Sequence, residues 1–135
     1  MIHRGLATAL LAAVLVQGCS ARPEETIVSD FFAASRLRDL TALSRFSTVV
    51  FEPREQGIVT SFTIRSVSAE PATGPDRAKQ VTIAAPLHKP DGTIVDRIFV
   101  IRLQLYARVV EPAAPALYAG WIVTGITELP VPPPS

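Results

Sequence analysis

The sequence predicts an α+β domain, an N-terminal helix–kink–helix packed on a curved four-stranded antiparallel sheet. Three observations carry this. Apolar residues recur at helical spacing only between residues 26 and 46; after Pro53 the pattern changes to strict alternation; and loops marked by Pro, Gly and Asp cut the alternating stretch into four pieces.

The helical stretch opens at Thr26. Ile27, Val28, Phe31 and Phe32 share one side of a helix, and Ala33, Ala34 and Leu37 extend it until Arg38-Asp39 interrupts the pattern. Asp39 is placed to cap a second short helix, Leu40 to Phe46, because its carboxylate can accept from backbone N–H groups that the first turn leaves without partners. Gln56-Gly57 then signals a turn. The first strand is expected from Ile58 to Ala69, with Ile58, Thr60, Phe62, Ile64 and Ser66 on one face.

Residues 71–76 (PATGPD) form a loop by their Pro and Gly content. A second strand, Ala78 to Leu87, puts Val81, Ile83, Ala85 and Leu87 on one face. Lys89-Pro90-Asp91-Gly92 closes a hairpin, since Pro presets φ, Asp bonds its own backbone and Gly accepts positive φ. The third strand, Thr93 to Val109, is the longest and is expected to be central. Phe99, Ile101, Leu103 and Leu105 face one way, and Arg102, Gln104, Tyr106 and Arg108 face the other. After a loop at residues 111–116 (EPAAPA), Trp121 to Leu129 makes the fourth strand.

Composition narrows the function classes. Thirteen Lys and Arg stand against twelve Asp and Glu, a balance that lends no support to nucleic-acid binding, which wants a basic face, or to the steering of a strongly acidic partner. The length suits one domain. No internal repeat occurs.

The first residues read as a targeting segment. Arg4 precedes an uncharged apolar run from Gly5 to Val16, shorter than the ~20 residues a helix needs to cross a bilayer and followed by polar Ser20, Arg22 and Pro23. Val16-Gln17-Gly18-Cys19 resembles the lipobox of bacterial lipoproteins, with an aliphatic residue three before the cysteine and a small one directly before it; Gln17 departs from the usual small or apolar residue. The resemblance implies lipid transfer to Cys19 and cleavage ahead of it. Cys19 is the only cysteine in the chain, so no intramolecular disulfide competes for it. At roughly 0.8 kcal/mol per buried CH₂, several acyl chains on one residue anchor a protein where a single chain is marginal. Ser20 in place of Asp favours, for a Gram-negative source, the outer membrane facing the periplasm. The expected organisation is a signal peptide over 1–18, a lipidated tether over 19–25, the domain over 26–129 and a proline-rich tail over 130–135, extended in polyproline II geometry. Removing residues 1–18 takes one arginine away and brings the formal charge to zero.

Residues 27–34 through Arg38-Asp39-Leu40-Thr41-Ala42-Leu43, together with Gly120-Trp121-Ile122-Val123-Thr124-Gly125-Ile126, resemble the opening helices and closing strand of NTF2-like and cystatin-like domains. With two helical stretches and four strands, the chain is similar to the trimmed DUF4878-like lipoprotein domains. Enzymes on this fold place Asp, His or Tyr between helix and sheet, so the resemblance makes an isomerase or cyclase one alternative, with Asp30, Asp96 or Tyr106 in the pocket.

From the residues themselves catalysis is the weaker reading. Domain histidine is limited to His88, beside the hairpin turn, where solvation explains it. Asp30 precedes Phe31 and is expected to face solvent. Asp96 with Arg97 interrupts an alternating strand, as a bulge or an exposed cross-strand pair would. Arg65 and Arg102, opposite Phe62 and Phe99, offer a basic patch or simply a solubilised outer face. No metal-ligand spacing, phosphate loop, nucleophile elbow or cofactor motif is present.

The expectation is therefore a non-catalytic binding or interaction module, anchored in the cell envelope. Ile98 and Val100 interrupt the polar face of the third strand and would leave an apolar patch if uncovered. Candidate site residues are Asp30, Asp96, Arg102 and Tyr106. The partners expected are the membrane through the anchor and a protein partner or second copy, with a small apolar ligand as a further option. A purely structural envelope lipoprotein, its proline tail a docking segment, is the other alternative.

Overall fold

The computed structural model describes residues 22–72, 74–107 and 118–130. Within them the chain forms helices α1 (Pro23–Leu37) and α2 (Leu40–Leu43), then strands β1 (Thr63–Ala69), β2 (Arg77–His88), β3 (Ile94–Leu105) and β4 (Ile122–Leu129). The four strands make one antiparallel sheet in the order β1-β2-β3-β4, an α+β architecture with the helices on one face. The signal segment, Cys19 and the start of its tether, the 111–116 loop and the tail beyond Pro130 lie outside the described residues; the third strand, expected to reach Val109 and to be the longest, ends at Leu105, before the described Tyr106 and Ala107, and equals β2 in length.

Helix α1 begins at Pro23, three residues before the expected start of the domain at Thr26. Pro23 sits in its first turn, where the missing N–H costs nothing, and Glu24 and Glu25 lie against the positive end of the helix dipole. The helix stops at Arg38, whose φ of 54° is left-handed; the Asp39 N–H donates back to the Ala34 carbonyl and the Arg38 N–H to that of Ser35. Asp39 caps α2 as its position foretells, accepting from the Ala42 N–H at 3.0 Å. That helix is a single turn: Leu43 and Phe46 are buried while Leu40 is exposed.

The alternation of β2 and β3 holds. Val81, Ile83, Ala85 and Leu87 of β2, and Phe99, Ile101 and Leu103 of β3, all lie on the face beneath α1 and are at most 3% exposed. They meet Ile27, Val28, Phe31 and Phe32 in one cluster. Edge-to-face contacts link Phe32, Phe51 and Phe99 at ring separations of 5.5 to 6.1 Å. At full burial each such side chain contributes about 1.5–3 kcal/mol, so this inner face holds the fold together. Inside it, Ser35 is buried and accepts from the Phe51 N–H at 3.1 Å, tying the loop after α2 to α1.

The first strand departs from expectation. Ile58 pairs with His88 as an isolated bridge, Thr63 and Ile64 pair with Ala84 and Ile83, and Ser66 pairs with Thr82. This segment thus gains one residue on β2 twice, the second time as a bulge at Arg65, and each gain swaps the faces. Val59 consequently lies buried while Phe62 and Ile64 pack against the same core, although simple alternation put Val59 on the opposite face. The turn preceding it is set by Gly57 at φ +113°, where an added Cβ would lie 2.5 Å from the His88 carbonyl oxygen. The Lys89–Gly92 hairpin forms as read: Asp91 accepts from the N–H and the hydroxyl of Thr93 at 2.9 and 2.6 Å, which holds its carboxyl below the ordinary range.

Candidate functional site

One helical layer covers one face of the sheet, so even-numbered residues of β2 and β3 form an outer face with no described element over it. Two zones divide it. Toward the hairpin end are Ala84, Pro86, Ile98, Val100 and, on the paired β4 edge, Leu129; Ile98 and Val100 are half-buried and Leu129 is exposed. Toward the other end lies a polar network around Arg102.

Arg102 reaches across three strands. Its Nε donates to Glu70 Oε2 at 2.9 Å and Nη2 to Oε1 at 3.4 Å, a forked pairing. Nη1 donates to Gln104 Oε1 at 2.9 Å and to the Thr124 hydroxyl at 3.0 Å. The network borders a polar cleft of about 230 Å³ that also takes in Asp76 and Arg77. Asp76 accepts from the Ala107 N–H at 2.9 Å. Arg102 is 40% and Glu70 26% exposed in their side chains, so the pair contributes at most ~1 kcal/mol and fixes shape more than stability.

The anticipated site residues do not converge. Arg102 is on the outer face as read, but Glu70 neutralises it, and Arg65 falls at the bulge, so the expected basic patch does not form. Asp96 is exposed on the outer face opposite Pro86. The ladder runs through it without a bulge, and Arg97 turns instead to Glu128 on the neighbouring strand at 2.7 Å. Tyr106, 42% exposed, lies just past the end of β3.

Asp30 corrects the expectation of a solvent-facing acid. It is half-buried, and the Tyr118 hydroxyl donates to its Oδ2 at 2.7 Å. Tyr118, itself buried, stacks near Phe46 at 4.9 Å between centroids. Burial first, then the carboxylate beside it, pushes the phenol well above the usual tyrosine value, so the hydroxyl stays protonated and acts as a fixed donor. The arrangement latches the segment before β4 onto α1. Sequence reading passes over it because the partners are 88 residues apart.

A second contact also escaped the sequence. Lys79 points from β2 to the inner face, pairs with Glu24 at 3.3 Å and lies 4.0 Å above the Trp121 ring. Both ions are largely buried, and together they close the end of the core where α1 begins. Glu70 and Thr124 likewise carry no local signal; only the register of the sheet brings them to Arg102.

Among the described residues no group of three His, Cys, Asp or Glu could hold a metal ion, and no helix is long and apolar enough to cross a membrane. No family model, curated protein or solved structure matches the chain.

Proposed function

We propose that the chain is a lipoprotein of the bacterial cell envelope, anchored through Cys19, whose domain is a non-catalytic interaction module that holds a protein partner on the outer face of its sheet. One observation carries the reading: the helices occupy one face, and the other presents Ile98, Val100 and Leu129 beside a charge-neutral network around Arg102. An apolar strip bordered by satisfied polar groups suits a protein surface. Lipid headgroups would favour a cationic face, and here Glu70 cancels the arginine.

The α1–α2 element and the four-strand meander support an NTF2-like or cystatin-like reading in which α1 and α2 are the helix–kink–helix. The lipobox-like Val16-Gln17-Gly18-Cys19 supports the anchor, and Ser20 supports the outer membrane in a Gram-negative source. An isomerase or cyclase would place a titratable group facing a pocket. Asp30 is engaged by Tyr118, and Asp96 and Tyr106 are exposed, so that alternative gains nothing from these three positions.

The test is site-specific photocrosslinking of the full-length protein in its native membrane. A crosslinking residue at Val100 is expected to give a discrete protein adduct, one at exposed Glu55 is not, and Cys19→Ala is expected to abolish both the adduct and membrane fractionation. Membrane release without any Val100 adduct in the parent protein would leave the anchor standing and remove the interaction face.

A further inference from the structure

We propose that β1 is a self-pairing edge, through which two copies of the chain join antiparallel about a two-fold axis at Val67 and merge their sheets into one of eight strands. This rests on the phase of the backbone hydrogen bonds and is independent of the outer face.

In an antiparallel ladder, residues alternate between bonding one neighbour and bonding the other. Five bonds fix that alternation here. The Glu70 N–H donates to the Ala78 carbonyl, Ile58 and His88 exchange two bonds, the Lys89 N–H donates to Thr93, and the Val123 N–H donates away from β3 to Phe46. Even-numbered residues of β2 therefore bond toward β1, and odd-numbered ones bond toward β3. On β1, Ser66 and Ser68 face β2. Val67 and Ala69, opposite Val81 and Lys79, direct both N–H and C=O off the sheet. Among the described residues no backbone bond reaches them there.

The opposite edge is treated differently. At the start of β4, Thr48 donates to the Val123 carbonyl at 2.9 Å and Val123 donates to that of Phe46 at 2.8 Å, so the segment after α2 covers it. Among the described residues the edge of β1 has no such cover, and its sequence, TIRSVSA, holds one charge and no proline, unlike the charged or proline-blocked edges that resist pairing.

The edge is self-complementary about one residue. With Val67 on the axis, each Val67 N–H donates to the Val67 carbonyl of the other copy, Ser66 faces Ser68, and Ala69 faces Arg65. The axis stands perpendicular to the sheet and keeps inner face with inner face, so the two Val67 side chains, each 38% exposed on that face, cover one another. Both α1 helices then lie on one side of the joined sheet; two anchors in one membrane would be compatible with this, a point that rests on the lipidation of Cys19.

Two variants of the full-length protein in its native membrane test the pairing. Paired residues of this kind sit with Cα atoms about 5.5 Å apart, inside the disulfide window, while Ser68 and its symmetry mate lie beyond the ~7 Å limit. Oxidation should therefore crosslink Val67→Cys to a covalent dimer and leave Ser68→Cys monomeric. Val67→Pro removes an N–H that β2 does not use, a place where an edge strand accepts proline. It should keep the monomer's circular dichroism and weaken dimerisation of the detergent-purified protein about tenfold or more, the loss of two hydrogen bonds. A parent protein that is monomeric in the membrane overturns the proposal, as does crosslinking at Ser68 equal to that at Val67. Should Val67→Pro unfold, the cysteine pair alone decides.

Discussion

Val100 and Ile101 are neighbours on one strand, yet they belong to different environments. Ile101 is fully buried beneath α1, and Val100 lies on a face that no described element covers. The comparison extends along β2 and β3: the inner residues are closed off by one helical layer, and the outer ones mix threonine, glutamine and the Arg102 network with a few aliphatics. It teaches that a two-layer domain of this size assigns its stability to one face of its sheet and leaves the other available for contact.

The sharpest way to break that division is to truncate each side. Phe99→Ala should cost about 3–5 kcal/mol, because it opens a cavity among Phe32 and Phe51. Val100→Ala should cost about 1 kcal/mol or less. Urea denaturation measures both, and equal costs would mean that the outer face is covered after all.

A buried polar group extends the contrast. Ser35→Ala leaves the Phe51 N–H without an acceptor inside the core and should destabilise by about 1–3 kcal/mol. Ser68→Ala, on the exposed face, should stay within about 0.5 kcal/mol. Indifference at Ser35 would show that the loop after α2 is not tied to α1.

The Tyr118–Asp30 latch gives a pH signature. Its phenol ionises at higher pH folded than unfolded, so the stability it confers is fully present below the ordinary tyrosine value near pH 10 and is lost as pH rises from there toward the folded value. Tyr118→Phe should cost about 0.5–1.5 kcal/mol at neutral pH and flatten the alkaline decline in melting temperature relative to the parent. A parallel decline in both proteins would argue that the hydroxyl is not buried against Asp30.

The smallest effect belongs to the outer network. Glu70→Gln should change stability by about 1 kcal/mol or less, with the difference shrinking as salt is added. A larger, salt-insensitive loss would place Arg102 in a covered environment and erase the distinction between the faces.

Local chemistry made some of this legible in advance. Asp39 announces its helix because a carboxylate one position before an apolar turn has few other uses, and Lys89–Gly92 announces its hairpin through three residues with separate turn-forming reasons. The inner faces of β2 and β3 follow from alternation, since their ladder has no bulge between His88↔Ile94 and Arg77↔Leu105. The first strand departs from its sequence pattern because two one-residue gains leave no mark in composition; alternation persists in the sequence while the faces exchange. Helical spacing points Asp30 toward solvent because it reflects only the helix's own residues, whereas Tyr118 lies 88 positions away. Alternation puts Arg102 on the outer face, but its neighbours are set by the sheet, its carboxylate partner lying 32 residues away.

By itself the sequence determined the α+β class, the number of strands, the capped helix, the hairpin and the apolar faces of the second and third strands, because each depends on residues within a few positions of one another. Tertiary structure alone decided which charges are paired, that Lys79 stacks on Trp121, that Tyr118 holds Asp30, and which β1 hydrogen bonds point off the sheet. Those depend on register between distant strands, and a shift of one residue, at little local cost, turns every side chain and every backbone bond to the other side.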